Sequence, residues 1–195
     1  MRTSDILGPA VLGLALGGGA ALAAPVTYNV DSNHTHPSFE ADHLGGLSKW
    51  RGKINSTSGT VVLDKEAETG TVEVTMDMTT IDFGHQGLND HANTPDIFDT
   101  AQFPTATYTG RLANFQNGAP TMVEGELTMH GVTRPVNLTI EEFLCKPHPM
   151  QMREVCGADA TATLDRSDFG ITIGQPLFDM GVTLRIQIEA IVPES

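Results

Sequence analysis

Basic residues are scarce in this chain. It has 11 Lys and Arg against 24 Asp and Glu, a formal charge of −13 over 195 residues. A surface of that sign repels phosphate backbones and anionic headgroups, which excludes nucleic acid as a partner; its plain consequence is solubility. Cysteine is nearly absent: Cys145 and Cys156 are the only copies, and their spacing does not match a zinc site. No segment keeps a helical rhythm over three or four turns. There is no Gly-x-Ser-x-Gly elbow and no Walker loop, so two common catalytic and phosphate-binding devices are missing. Past residue 25 no apolar run is long enough to span a bilayer.

The N-terminus reads as a targeting segment. Arg2 is followed by an apolar run from Ile6 to Leu22 that ends in Ala21-Leu22-Ala23. Small residues at the first and third of these positions suit a signal peptidase. The expected boundaries are a signal peptide over 1–23 and one exported, periplasmic domain over 24–195. In that compartment the two cysteines read as a disulfide. It would close a loop of about a dozen residues, worth about 3 kcal/mol in the chain-entropy model.

What is abundant is alternation. Val72, Val74, Met76 and Met78 alternate with Glu73, Thr75, Asp77 and Thr79. Val182, Leu184, Ile186, Ile188 and Ala190 alternate with Thr183, Arg185, Gln187 and Glu189. Val136, Leu138 and Ile140 repeat the rhythm, as do Val123, Gly125, Leu127 and Met129. A period of two marks strands with one wet face. Polar turns separate them at 64–70, at 114–118 and at His130-Gly131. The stretch 84–99 breaks the pattern and is expected to hold short helices. About eight strands with local connections predict an antiparallel sheet that closes into a barrel, because open edges are a hazard.

One strand bears on what fills that barrel. Ala158, Ala160, Ala162 and Leu164 alternate with Asp159, Thr161, Thr163 and Asp165. Three small inward side chains either line a bore suited to a thin hydrocarbon or sit opposite bulky partners such as Phe98 or Phe169. Met76, Met78 and Met129 would be adaptable wall residues.

Polar clusters offer rival chemistries. His34 and His36 share a strand face, and His43 lies nearby; His85, His91 or Asp90 could complete a metal site, though no metallohydrolase motif is present. Asp165, Asp168 and Asp179 with Arg166 could do acid–base work, or could cap turns.

Several segments, taken in order, resemble the YceI-like family of periplasmic, lipocalin-like polyisoprenoid-binding proteins. They are Tyr28-Asn29-Val30-Asp31 with His34-Thr35 and Phe39, then Asp96-Ile97-Phe98-Asp99 and Phe103-Pro104-Thr105-Ala106-Thr107-Tyr108. Leu127-Thr128-Met129-His130-Gly131-Val132-Thr133-Arg134-Pro135-Val136 follows. The last are Asp165-Arg166-Ser167-Asp168-Phe169-Gly170 and Ile188-Glu189-Ala190. The resemblance spans residues 26–192.

It implies an extended, antiparallel, eight-stranded lipocalin-like barrel with a hydrophobic tunnel and a disulfide in the late hairpin. The implied ligand is a long isoprenoid lipid, either an isoprenoid quinone or a polyprenyl phosphate. The expected tunnel wall is Phe39, Val72, Val74, Met76, Met78, Phe98, Ala158, Ala160, Ala162, Leu164, Phe169, Leu184, Ile186 and Ile188. The stretch Leu88 to Pro95 lacks the basic residues that relatives often place there, which favours a neutral head. The chain is thus expected to be a carrier or sequestering protein rather than an enzyme, with no catalytic cofactor. Transient membrane contact and a monomeric or homodimeric state go with that reading. The alternatives are an enzyme acting on a lipid or quinone headgroup and a histidine-based metal module.

Overall fold

The computed structural model describes residues 24–194. The expected signal peptide, 1–23, lies outside the described residues. The strands are β1 (Val26–Val30), β2 (Ser38–His43), β3 (Ser48–Ile54), β4 (Thr57–Asp64), β5 (Thr69–Asp77), β6 (Ile81–Asp82), β7 (Thr105–Ala113), β8 (Met122–Met129), β9 (Val132–Pro135), β10 (Leu138–Pro147), β11 (Glu154–Asp165) and β12 (Gly181–Ile191). Among the described residues the one α-helix, α1 (Gln86–Ala92), lies in the connection where the alternation fails.

The sheet closes. Its hydrogen-bonded path runs β1-β4-β5-β7-β8-β10-β11-β12, and β12 then pairs back to β1 through Asn29↔Ile191 and Val30↔Ala190. All pairings are antiparallel, giving an eight-stranded barrel. Some lanes are broken. The first half of β12 pairs with β2 instead of β1, and β3 and β6 follow outward from β2. The break between β5 and β6 is a 3-10 turn at Met78–Thr80, capped by Asp77 accepting from the Thr79 N–H.

Local chemistry explains these elements. In β5, Val72 and Val74 are buried while Glu73 and Thr75 are exposed, as a strand with one dry face requires. The β8–β9 hairpin turns at His130 and Gly131, both with positive φ, at 52° and 74°; tight hairpin turns of that hand need this. Gly59 lets β4 lie against β5: at φ +151° a Cβ there would sit 2.1 Å from the Glu73 carbonyl.

Two apolar clusters fill the sheet's inner side. One includes Tyr28, Leu63, Val74, Tyr108, Leu127, Ile140 and Ala160. The other, beside α1, gathers Ile54, Met78, Ile81, Ala92 and Ala106, with Phe39, Phe83 and Phe98 against it. Two of the acidic residues near position 165 hold turns. Asp165 caps a second 3-10 turn, Arg166–Phe169, by accepting from the Ser167 N–H at 2.8 Å, and Asp179 accepts from the Gly181 N–H at 2.9 Å.

Candidate functional site

Inside the barrel lies a cavity of about 500 Å³, within the roughly 300–1,000 Å³ usual for ligand sites. Its wall follows from the sheet register. Ala158 stands across from Ile188 on β12 and Phe143 on β10; Ala160 stands across from Ile186 and Ile140. All six side chains border the cavity. Leu184, Ile186 and Ile188 point inward yet are only half-buried, because they face the cavity rather than packed side chains. The alanines are therefore not plugged by their larger neighbours.

Of the wall expected from sequence, Phe39, Val72, Val74, Met76, Met78, Phe98, Ala158, Ala160, Leu164, Leu184, Ile186 and Ile188 border the cavity. Two residues do not. Ala162 packs against the core opposite Leu184, which borders the cavity in its stead. Phe169 is 1% exposed. It ends the 3-10 turn that packs on β9, and its carbonyl bonds His130 Nδ1 at 2.9 Å, so it is a wedge beside the barrel wall.

The reading of single strands missed much of the lining. Tyr28, Leu63, Tyr108, Leu112, Val123, Leu127, Leu138, Ile140 and Phe143 also border the cavity. The alternation of Val136, Leu138 and Ile140 was a usable signal for part of this set. The residues at one mouth had no comparable signal: His43, Trp50, Phe83, Leu88, His91, Ile97, Ile173 and Phe178 come from separate loops and strands.

The two ends of the cavity differ. At the β10–β11 end, Tyr28, Leu63, Leu112, Val123, Leu138 and Cys156 are buried. Cys145 and Cys156 face each other in register and form a disulfide. Next to it the Tyr28 hydroxyl donates to Glu154, which also accepts from Lys65 Nζ at 2.8 Å. Burial, and then Glu154, push the Tyr28 hydroxyl's pKa well above its ordinary value. At the other end the lining is part-exposed and aromatic. His43 stacks on Trp50 with centroids 4.4 Å apart and planes at 19°. Phe178 meets His43 edge-on at 5.5 Å, and Phe83 meets Trp50 at 6.3 Å. Phe39 links Phe83 to Phe98 at 5.6 and 6.4 Å.

Charge is nearly absent from this wall. Arg166 is the one cationic side chain bordering the cavity among the described residues, and its guanidinium donates to the Ile171 and Ile173 carbonyls. The histidines weighed as metal ligands separate. His34 bonds Asp31 at 2.8 Å, His36 bonds the Asn33 carbonyl, and His43 lies at the mouth. Among the described residues, the group of three or more metal-capable atoms is Cys145, Glu154 and Cys156, whose sulfurs are spent in the disulfide.

A family model described as the YceI-like domain matches residues 28–190. Protein YceI of Escherichia coli O157:H7 is 28% identical over 188 residues, covering 96% of this chain and 97% of that protein. The crystal structure of Burkholderia cenocepacia BcnA aligns with a TM-score of 0.65 at 20% identity, over 83% of this chain and 99% of BcnA. A polyisoprenoid-binding domain from Saccharophagus degradans, implicated in plant cell wall breakdown, aligns with a TM-score of 0.62 at 15% identity, over 86% and 99%.

Proposed function

The chain belongs to the YceI-like family, and from that premise we propose that its barrel binds one long isoprenoid lipid with a neutral head, as a periplasmic carrier or sequestering protein. The observation that supports this most directly is the 500 Å³ apolar bore bordered by Ala158 and Ala160. Each buried CH₂ of a guest contributes about 0.8 kcal/mol, so a tail needs no polar contact to be held. A prenyl pyrophosphate would need cations, and Arg166 already serves its own loop carbonyls. The named binding property of the Saccharophagus domain points the same way. Export rests on the pattern of residues 1–23 and agrees with the disulfide. Leu44, Leu47 and Leu177, exposed on the two loops beside the aromatic mouth, suit transient contact with a membrane during exchange. The role is binding rather than catalysis: the cavity wall holds few polar groups, and the nearby carboxylates cap turns.

Native mass spectrometry of protein purified from its own host, without detergent, tests the reading. A bound mass equal to a neutral isoprenoid lipid is expected. Ala160→Phe should abolish that mass while leaving the far-ultraviolet circular dichroism of the sheet unchanged. Undiminished lipid in the variant would refute the bore, and a prenyl phosphate would refute the neutral head.

A further inference from the structure

The chain has eight methionines. Met76, Met78, Met122, Met129 and Met180 are buried or half-buried, as is usual for this residue. Met150 and Met152 are not: they are 85% and 82% exposed. Met152 also holds φ at 55°, a conformation that favours glycine or asparagine. Burial explains neither thioether, and turn geometry argues against the second.

Both stand at the tip of the β10–β11 hairpin, two and four residues after His148. The tip is a closed turn. The His148 N–H donates to the Arg153 carbonyl at 2.7 Å, and the Met152 N–H donates to the His148 carbonyl at 3.0 Å. Below it the ladder runs through Pro147↔Glu154 and Lys146↔Val155 to the Cys145–Cys156 disulfide. His148 Nδ1 accepts from the Met150 and Gln151 amides at 3.2 and 3.1 Å, so its lone pair points into the turn.

We propose that this tip binds a soft monovalent metal ion, copper(I), through His148 Nδ1 and the sulfurs of Met150 and Met152. Thioether sulfur is a soft ligand that selects copper(I), and imidazole also accepts it. The three ligands are neutral, and positions 147–152 contain no carboxylate. Calcium, magnesium and manganese therefore lack the oxygen ligands they prefer. The next carboxylate along the chain, Glu154, is already taken by Tyr28 and Lys65. Lys146 and Arg153, flanking the tip in sequence, repel a divalent ion about twice as strongly as a monovalent one. The ion takes the place of the two amide protons at Nδ1, while Nε2 keeps its proton; in an exposed turn the freed amides bond to water. Long, flexible thioether arms on a backbone already closed by hydrogen bonds can converge with little further ordering. The site stands at the hairpin tip and is independent of any guest in the bore.

Anaerobic titration of the purified protein, disulfide intact, with copper(I) against the chelator bicinchoninate reads the affinity. One ion per chain is expected. The methyl NMR signals of Met150 and Met152 should move on addition of copper(I), and those of Met76 and Met129 should stay. Met150→Leu and Met152→Leu keep the side chain's bulk and lose its sulfur. Each should weaken binding at least about tenfold, the least that disturbing a metal site's outer shell costs; His148→Ala should do the same, and Met122→Leu should change nothing. Undiminished copper(I) binding by the Met150→Leu, Met152→Leu double variant would overturn the site. So would displacement of the copper(I) by equimolar zinc(II), movement of the Met76 or Met129 signals instead, or failure of the protein to draw copper(I) from the chelator.

Discussion

At the β10–β11 end of the barrel, a small polar network is closed on itself. The Tyr28 hydroxyl, the Glu154 carboxylate and the Lys65 ammonium satisfy one another, and a disulfide spans the hairpin beside them. At the opposite end, the cavity is rimmed by part-exposed rings, and the His43 and His91 side chains there have no hydrogen-bond partner among the described residues. One end is tied together by polar bonds and a disulfide, and the other is lined by part-exposed rings. The contrast shows how one closed sheet can carry two chemically different ends along a single axis.

The largest expected effect breaks or sharpens that division directly. Replacing both cysteines by serine should cost about 3 kcal/mol in urea unfolding, from the loop that the bridge closes in the unfolded chain. Binding of farnesol, a short isoprenoid alcohol, should survive in the folded fraction. A smaller effect is expected at the mouth. Trp50→Ala removes a half-buried ring and should cost about 1 kcal/mol, while bound lipid escapes faster in a time course followed by native mass spectrometry. Equal stability losses from the two variants, or retention unchanged by Trp50→Ala, would erase the distinction between the ends.

The smallest effect concerns pH. Burial alone would raise the Glu154 pKa, but hydrogen bonds from Lys65 and Tyr28 and the Lys65 charge outweigh it and hold the carboxyl below its ordinary 4.5. A lowered folded pKa stabilises above the unfolded value and is lost as pH falls through the folded one. The wild type should therefore lose stability below about pH 4.5 more steeply than Glu154→Gln. Parallel acid profiles would show that the network contributes nothing to closure.

Much of the wall was legible in the chain. The alternation through Val72, Val74, Met76 and through Leu184, Ile186, Ile188 places each residue on one face, because side chains alternate across a strand. The alanines of β11 stood out for the same reason. Ala162 and Phe169 show the limit. Parity places Ala162 on the inner face, but the cross-strand neighbour decides which side chain borders the cavity. Phe169 sits in a 3-10 turn, where a period of two has no meaning. His43, Trp50, His91 and Phe178 were each visible as residues, yet nothing local marks them as neighbours.

By itself the sequence determined the strand periodicity, the turns, the acidic surface, the interruption at α1 and the pairing partner of each cysteine. Those follow from interactions between near neighbours or from composition. Only the tertiary structure decided that β12 closes on β1, that the bore stays open beside Ala158 and Ala160, and that the rings of His43, Trp50, Phe83 and Phe178 meet at one mouth. Closure and volume depend on the register between strands distant in the chain, and no local pattern encodes which large side chains cross an axis and which stop short of it.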